Sequence, residues 1–496
     1  MGRRSGRGAG VSGRARRAVR SAGHAVEWVT GRPLASYDGP VAFEAKVAVG
    51  RAARRVERWR RRGNVAFPGH VLLRSDPGAL ARLAGRLDHG AVAVSASSGK
   101  TTTTAMLTSI ARHAGLRPVT NPTGANMPPG LTAELLAASR TGRGTAGDVG
   151  IFEVDERWLP RVADDLGLRV VVLGNVLRDQ VERMGDLDAV VAMWHRMVTA
   201  GPPDLRLAVA VDDPRLAPLA ELRPGAVRFG LDDPALAGGS LLGPAEAPPC
   251  AACGADLVYD PAYLAHLGRW CCPRCGRRRP DPDVAAEEVV LAGPGAARFV
   301  LRLPGTSVPV RLRVGGLHNV YNAVAAAAGA VALGLPPDAV VAGLEATPAA
   351  WGRGEVVRVD GVDVVFGLFK NAVGGAVLVR TLLEEPEPFD LLLAVTASAD
   401  EPADLPYLWD IDLSALVDRA RTVACAGSEA REVALWLKYA GVDLGDVDVE
   451  PSLVAALRRA VRDGGTGRVH VVASPRALEE LREHLADAGH VERWWR

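Results

Sequence analysis

The chain has 496 residues, and its 59 basic and 57 acidic side chains leave a formal net charge of +2. An apolar fraction of 48% and a charged fraction of 23% are typical of globular proteins, and the length predicts roughly two to four domains. The near-zero net charge excludes a molecule-wide field for binding nucleic acid or membranes. No apolar run suits a membrane-spanning helix, the N-terminus lacks the apolar core of a secretory signal, and cysteines are few. These features predict a cytoplasmic protein.

The first 62 residues hold the strongest local concentration of positive charge. Residues 1–40 are rich in Gly, Arg and Ser, which predicts a disordered basic extension. Residues 41–62 predict a basic amphipathic helix that either contacts anionic lipid or packs on the following domain. We favour packing, because charge runs are usually solvated faces.

A strand, a polar turn and a helix follow one another at residues 90–111. The β-rich run Gly90–Val94 precedes Ser97-Ser98-Gly99-Lys100-Thr101-Thr102, where a helical pattern begins. The N–H groups of a helix start bind anions, the lysine would contact the β- and γ-phosphates, and the first threonine would hold Mg²⁺. Only four of the basic residues are lysines, which favours a point-charge role for Lys100. Val94 stands where the Walker pattern has its first glycine, so the predicted phosphate loop is imperfect.

Polar side chains follow several predicted strands at the point where each strand ends. Alternating strands and helices predict a parallel sheet with helices on both faces, and ligands bind at the carboxyl ends of such strands. Mg²⁺ takes one or two carboxylates plus phosphate oxygens, so Glu153 is predicted to contact magnesium. The polar clusters are Glu153-Val154-Asp155-Glu156, Asn175 and Asp212-Asp213.

Residues 246–283 interrupt this pattern with two pairs of cysteines. The pairs Cys250/Cys253 and Cys272/Cys275 have the spacing of a closed tetrahedral zinc ribbon, whose metal affinity contributes to the folding of a small insert. Cys271 is an alternative ligand, although Cys272 begins the better knuckle. The arginines at 277–279 allow a nucleic-acid contact, which we disfavour because zinc ribbons often serve only as inserts. Lone Cys425 is predicted to be a core residue.

The second half of the chain begins a new alternation of strands and helices. Asn319 and Asn322 share one face at the start of an Ala-rich helix, where they either cap the helix or contact a ligand. A break at Thr347-Pro348 precedes a predicted Rossmann-like domain, residues 348–496. Its acidic loop Asp400–Asp412 is either solvated or functional. The predicted fold class is α/β, with a P-loop central domain at 41–347, an inserted Cys₄ zinc ribbon and this C-terminal domain.

Together these motifs resemble the Mur ligase family, and most closely its MurT branch, over about residues 41–496. In that family the zinc ribbon is particular to the MurT branch, and the resemblance implies that the usual N-terminal UDP-sugar domain of Mur ligases is absent, as it is in MurT. The matching segments are Ala96–Thr102, Thr123–Met127, Glu153–Glu156, Arg178–Gln180, Asn319 with Asn322, and Gly352-Arg353.

The resemblance implies an ATP-dependent carbon–nitrogen ligase of peptidoglycan biosynthesis. ATP would phosphorylate the α-carboxyl of D-glutamate in the lipid II stem peptide, and ammonia from a GatD-like glutaminase partner would attack the acyl phosphate. The implied cofactors are ATP, Mg²⁺ and Zn²⁺, with no nucleic acid, in the cytoplasm or at the inner face of the membrane. The implied catalytic residues are Lys100, Glu153 and Asp404, the last completing the partner's Cys-His pair. The implied ATP contacts are Ser97, Ser98, Gly99, Lys100, Thr101, Thr102, Asn319 and Arg353, and those to magnesium are Thr101 and Glu153.

Four departures from the family pattern leave the acceptor open. Ala96 replaces the first glycine of the family's loop, which we expect to tighten the turn and weaken nucleotide binding. The other three lie at Lys370-Asn371-Ala372, Thr396-Ala397-Ser398 and Pro406-Tyr407, in the C-terminal domain. One alternative is a Mur-type ligase that amidates or ligates another carboxylate. The other is a non-enzymatic zinc-ribbon protein with a decayed phosphate loop, held to nucleic acid by its arginine-rich arm.

Overall fold

The computed structural model describes residues 40–60, 65–140, 144–177, 187–236, 247–348, 353–369, 372–385, 387–397, 408–409 and 411–491. All of them belong to one compact unit, Gly39–Arg496. The predicted N-terminal extension, apart from Pro40, lies outside the described residues. The Arg178-Asp179-Gln180 run, Lys370-Asn371 and the loop that carries Asp404 lie outside them as well.

The described elements alternate between helices and strands along most of the chain. The helices are α1 (Pro40–Arg60), α2 (Phe67–Ser75), α3 (Ala79–Ala84), α4 (Lys100–His113), α5 (Pro128–Ala138), α6 (Leu159–Leu166), α7 (Leu187–Ala200), α8 (Leu317–Leu333), α9 (Pro337–Ala346), α10 (Ala372–Leu383), α11 (Ser414–Val417), α12 (Ala430–Tyr439), α13 (Leu453–Asp463) and α14 (Pro475–Asp487). The first eleven strands are β1 (Ala91–Ser95), β2 (Pro118–Thr120), β3 (Val149–Glu153), β4 (Leu168–Leu173), β5 (Arg206–Ala210), β6 (Val227–Leu231), β7 (Val258–Leu264), β8 (Leu267–Cys271), β9 (Val284–Leu291), β10 (Ala297–Leu303) and β11 (Thr306–Leu312). The remaining strands are β12 (Arg353–Val359), β13 (Val362–Leu368), β14 (Phe389–Ala394), β15 (Ala420–Ala426), β16 (Val447–Glu450) and β17 (Arg468–Ala473).

The first sheet has the described strands in the order β11-β10-β9-β6-β5-β4-β1-β3-β2. Strand β1 runs parallel to both β3 and β4, and the chain continues to one side of it through β2 and to the other through β4. This is a topological switch point, where open α/β sheets bind ligands. The loop after β1 therefore occupies the expected position for a site.

The strands β1–β6 within residues 76–245 are parallel, as the alternation there predicts, but the sheet ends in an antiparallel edge that the sequence did not predict. Strands β9, β10 and β11 are antiparallel to one another. The reason is local, because β10 and β11 are joined by a two-residue turn in which Gly305 has a φ of +82°. So short a turn only connects antiparallel strands.

Helices cover both faces of this sheet. The side chains of β1, which point alternately to the two faces, show why. Val92 and Val94 point into a core shared with α4 and α8, whereas Ala91 and Ala93 point into the opposite core. Successive side chains of a strand face opposite ways, so a strand that is apolar at every position must be covered twice. The predicted α/β class is confirmed by this arrangement.

The helix predicted at residues 41–62 is α1, and it packs on the P-loop domain. Phe43 and Val47 are buried in the core that lies under α2 and α5. The Arg86 guanidinium donates to Glu44 over 2.7 Å. No helix in the described part of the chain is both long enough and apolar enough to cross a bilayer.

A second sheet forms the C-terminal part, in the order β12-β13-β17-β14-β15-β16 among the described strands. Only the β12–β13 hairpin is antiparallel, and the other neighbours are parallel. Cys425 on β15 is fully buried in the core of this sheet, and burial raises the pKa of its thiol to about 12. It is a packing residue, as the sequence predicts.

Candidate active site

The loop after β1 is held by the segment that follows the neighbouring strand β4. Asn175 makes three contacts: its carbonyl accepts from the Ser97 N–H at 2.8 Å, its Oδ1 accepts from the Ser98 N–H at 3.0 Å, and its Nδ2 donates to the Ser98 carbonyl at 3.0 Å. The Ser97 hydroxyl accepts from the N–H of Leu177 at 3.0 Å. Hydrogen bonds from the segment after β4 therefore hold the turn in its conformation.

Gly99 occupies the position immediately before α4. Its φ is +88°, a left-handed conformation that favours glycine, and a Cβ there would lie 2.0 Å from Oδ1 of Asn322. Ala96 does not have a positive φ, so alanine at the family's first glycine position is accommodated without left-handed backbone strain. The loop therefore needs one glycine for its shape, and that glycine is present.

Lys100 begins α4, and its ammonium group turns back towards the loop. It donates to the Ser97 carbonyl at 3.3 Å and lies 3.2 Å from both carboxylate oxygens of Glu156. Burial raises the pKa of Glu156, while the charge of Lys100 opposes that shift. The pair keeps a positive charge beside the loop in a largely water-free position.

Thr101 and Glu153 form the second polar pair of the site. The Thr101 hydroxyl donates to Oε2 of Glu153 at 2.7 Å, and Asn126 donates to Oε1 at 3.1 Å. Asn121 brackets the Glu153 backbone, accepting from its N–H and donating to its carbonyl. Hard oxygen ligands at the end of a strand, beside a phosphate loop, suit Mg²⁺. Thr101 and Glu153 fit a magnesium ion.

The two asparagines at the start of α8 point towards the same loop. The Asn322 amide donates to Oδ1 of Asn319 at 3.1 Å, and the Asn319 amide donates to the Gly315 carbonyl at 2.7 Å. Thr103 on α4 lies 3.4 Å from Oδ1 of Asn322. Asn322 therefore joins α8 to α4 and to Gly99 of the phosphate loop, and Asn319 orients Asn322.

A cavity of about 120 Å³ lies between the phosphate loop, the start of α8 and the C-terminal sheet. One wall is polar and belongs to the first sheet, and the other is mostly apolar and comes from β13, α10 and β17. Among its lining residues are Ser98, Gly99, Thr102, Asn319, Asn322 and His470. The site is a cleft between two sheets.

The four predicted zinc ligands come together at the end of the β7–β8 hairpin. Their sulfur atoms all lie within 4.8 Å of one another, with Cys250 and Cys275 3.6 Å apart and Cys253 and Cys272 3.4 Å apart. Backbone N–H groups of Cys275 and Arg274 lower the pKa of Cys272 to about 6, which favours the thiolate that binds metal. Four convergent sulfurs fit a tetrahedral zinc ion, which would hold the two knuckles together. Cys271 is exposed and lies outside the cluster.

The structure brings most of the residues that the sequence predicts as ATP contacts together around the loop, and it adds several polar residues that were not predicted there. The loop and the start of α4 contain Ser97, Ser98, Gly99, Lys100, Thr101 and Thr102. Beside them lie Glu153 and Asn319. The backbone of Arg353 begins β12 opposite Gly367, but its side chain and Asp404 lie outside the described residues. Roles were not predicted for Asn126, Glu156 as the partner of Lys100, or Asn175 as a clamp. The available signal was their position just after a strand or turn, at the carboxyl edge of the sheet.

Comparison with known proteins agrees with this architecture. A family model described as MurT ligase C-terminal matches residues 368–478. The lipid II isoglutaminyl synthase subunit MurT of Streptococcus pneumoniae is 28% identical over 85% of this chain and 92% of the relative, and that of Staphylococcus aureus strain N315 is 25% identical over 80% and 88%. By structure, a pseudomurein peptide ligase type C from Methanothermus fervidus has a TM-score of 0.58 at 23% identity, covering 80% of this chain and 79% of the other. MurF from Acinetobacter baumannii has a TM-score of 0.62 at 19% identity, covering 85% and 80%.

The phosphate loop at the switch point, the second sheet closing over it and these likenesses define an ATP-dependent ligase of the Mur type. Within the Mur ligases, the chain is most similar to MurT proteins among the relatives named here, both in its C-terminal sheet and over most of its length. The resemblance found in the sequence is thereby confirmed.

Proposed function

We propose that this chain is the ATP-using subunit of a lipid II isoglutaminyl synthase, which converts the α-carboxylate of D-glutamate in the stem peptide into an amide. The MurT relatives carry that name. The observation that carries the chemistry is the pairing of Lys100 with Glu156 and of Thr101 with Glu153 at one end of a phosphate loop. Two polar pairs there can hold a nucleotide's phosphates and a divalent cation while a second substrate enters from the cleft.

The residues of the loop supply binding and charge neutralisation. The N–H groups at the start of α4 would face the phosphates, and Lys100 would exchange part of its contact with Glu156 for contact with the transferring phosphoryl group. Thr101 and Glu153 would hold Mg²⁺, which when bound supplies charge neutralisation at the phosphate oxygens. Asn175 keeps the loop in place, so that these groups meet the nucleotide already oriented.

The proposed reaction has two steps. A carboxylate oxygen of the acceptor attacks the γ-phosphorus of ATP, which gives an acyl phosphate and releases ADP. Ammonia then attacks the acyl carbon, loses a proton and displaces phosphate, which leaves the amide. The apolar wall contributed by the second sheet would exclude water that would otherwise hydrolyse the acyl phosphate. At about 120 Å³ the cavity is smaller than the roughly 300–1,000 Å³ of typical ligand pockets, so substrates enter when the sheets separate.

Ammonia would come from a separate class I glutaminase, GatD-like in character. Asp404 would complete the glutaminase's Cys-His pair by orienting its histidine across the interface. Zinc in the Cys₄ cluster would be structural, since four cysteines leave no open coordination position.

The test is a reconstituted amidation assay with the glutaminase that co-purifies with this chain. Glutamine labelled with ¹⁵N in its side-chain amide, ATP and lipid II should give a ¹⁵N-labelled amide, detected by mass spectrometry. Asp404→Asn should abolish glutamine-dependent product while free ammonia still supports amidation, and Glu401→Gln on the same loop is the matched control. ATP turnover with another carboxylate and no glutaminase would instead identify a different Mur-type ligase. Absence of nucleotide binding would exclude both.

A further inference from the structure

Two adjacent aspartates follow β5, and both are fully buried. The Asp213 carboxylate accepts from the N–H groups of Val176 and Arg215, each at 2.9 Å, and its Oδ2 lies 3.3 Å from Nε2 of His266. Val176 comes directly after Asn175, the residue that clamps the phosphate loop. Asp213 thus bonds to the residue next to the clamp on one side and lies within ion-pair distance of the buried His266 on the other, whose ring nitrogens have no hydrogen-bond partner among the described residues.

The neighbouring Asp212 makes a parallel set of contacts. Its carboxylate accepts from the Tyr321 hydroxyl at 2.6 Å, from Arg279 at 2.8 Å and from the Leu231 N–H at 2.9 Å. Tyr321 lies on α8 immediately before Asn322, the asparagine that faces Gly99 of the loop. Asp212 therefore connects Arg279 with the other side of the nucleotide site.

The partners of Asp212 and Asp213 on the side away from the phosphate loop belong to the cysteine hairpin, which consists of β7, β8 and the two cysteine pairs that flank them. His266 stands in the turn between β7 and β8, and Arg279 comes four residues after Cys275. Trp270 on β8 donates to the Val211 carbonyl at 3.0 Å, and the Gly268 N–H donates to the Asp212 carbonyl at 3.0 Å. All of these bonds reach residues 211–213, which is the short segment that also holds the nucleotide site.

Packing alone does not explain two buried carboxylates, because removing a charge from water is unfavourable and apolar side chains fill space without that penalty. Burial by itself would raise the pKa of Asp213, but the facing His266 and the two N–H donors outweigh it and lower the pKa below its ordinary value. The carboxylate is thus held charged. Fixed hydrogen bonds of this kind specify the relative positions of the elements they join.

We infer that the Asp212–Asp213 pair couples the cysteine hairpin to the nucleotide site, with His266 and Tyr321 as positioning residues. Metal bound by the four cysteines orders the hairpin, and the hairpin fixes Asn175 and α8 through these aspartates. Metal occupancy therefore raises nucleotide affinity, and by linkage nucleotide raises metal affinity by the same factor. The inference rests on the proposed nucleotide site.

The test is equilibrium binding of a fluorescent ATP analogue to the full-length chain, loaded with zinc or stripped by a chelator. Stripping should raise the Kd of the wild-type protein by about fivefold or more. In His266→Leu the loaded and stripped values should move closer together, while His266→Gln, which keeps a polar group facing Asp213, should retain most of the difference. In loaded protein, Tyr321→Phe should raise the Kd severalfold. Tyr259→Phe on β7 should leave it unchanged, because the Tyr259 hydroxyl has no hydrogen-bond partner among the described residues.

The outcomes separate this inference from the proposed function. If the loaded wild-type protein binds no analogue, both fall. If it binds but stripping changes the Kd equally in wild type and His266→Leu, or Tyr321→Phe behaves like Tyr259→Phe, the coupling is wrong while the nucleotide site stands. If stripping unfolds the protein, zinc affinity is measured instead, with and without the analogue. The coupling predicts that the analogue raises zinc affinity, and an unchanged zinc affinity contradicts it.

Discussion

The ammonium group of Lys100 lies 3.2 Å from both carboxylate oxygens of Glu156, and both side chains are largely buried. The residues are 56 positions apart and meet because β1 and β3 are parallel neighbours. Each side chain provides a counter-charge for the other at a position that little water reaches. Glu156 therefore holds the lysine beside the phosphate loop, and a bound phosphate could replace part of this contact.

Replacing Lys100 alone should lower the free energy of unfolding more than replacing both Lys100 and Glu156. We expect Lys100→Met to lower the free energy of unfolding by about 3 kcal/mol at pH 8, because a buried carboxylate loses its counter-charge. Lys100→Met combined with Glu156→Gln should recover most of that loss, although neither protein should turn over ATP. Urea unfolding of the single and double variants measures the difference. A double variant as unstable as Lys100→Met would contradict the pairing.

Two threonines of α4 provide a matched test of the magnesium contact. The Thr101 hydroxyl donates to Glu153, whereas the buried Thr104 hydroxyl has no hydrogen-bond partner in the described part of the chain. Thr101→Val should raise the Mg²⁺ concentration needed for half-maximal ATP turnover about tenfold or more. Thr104→Val should leave that concentration unchanged. Equal effects of the two substitutions would remove Thr101 from the proposed site.

Gly99 can be compared with Gly115, which has a similar left-handed backbone in an open place. Their φ angles are +88° and +84°, but nothing described lies within 4 Å of a Cβ at Gly115, and Asn322 blocks one at Gly99. Gly115→Ala should cost about 1–2 kcal/mol of stability and leave nucleotide binding intact. Gly99→Ala should also displace Asn322 and abolish binding of the ATP analogue. Normal binding by Gly99→Ala would show that the loop tolerates another shape.

The adjacent cysteines at 271 and 272 separate metal binding from loss of a thiol. Cys272 belongs to the sulfur cluster, and Cys271 is exposed outside it. Cys272→Ser should lose stoichiometric zinc and lower the melting temperature, because metal binding contributes to folding of the hairpin. Cys271→Ser should keep both values. Zinc content by atomic emission and thermal unfolding are the measurements, and loss of zinc in Cys271→Ser would reassign the ligand.

His470 should make the protein sensitive to acid. Burial and the nearby Arg468 lower the pKa of His470 to about 3. The unfolded chain therefore takes up a proton at a higher pH than the folded one, and stability falls as the pH drops below about 6.5, by up to ~1.4 kcal/mol per pH unit. His470→Asn should reduce the stability difference between pH 7 and pH 5, measured by urea unfolding. His195→Asn, at an exposed position on α7, is the control, and identical pH dependence of His470→Asn and wild type would refute the assignment.

The local elements of this protein could be predicted because their signals lie within a few residues. The apolar run before Gly99 specifies a buried strand, and Gly99 itself supplies the left-handed turn that starts α4. The spacing of the cysteine pairs predicted four ligands that the structure brings within 4.8 Å of one another. The motif residues at successive strand ends sufficed to recognise the Mur type of ligase.

Strand order and the contacts that depend on it were decided only by the tertiary structure. Periodicity tells how a strand is buried but not which strand lies beside it, so the antiparallel edge formed by β9, β10 and β11 was missed. The same limit hid Asn175 as the clamp of the phosphate loop and Glu156 as the partner of Lys100. Chain segments far apart in sequence meet at one edge of the sheet because many weak contacts across both cores select a single packing, and no local pattern contains that information.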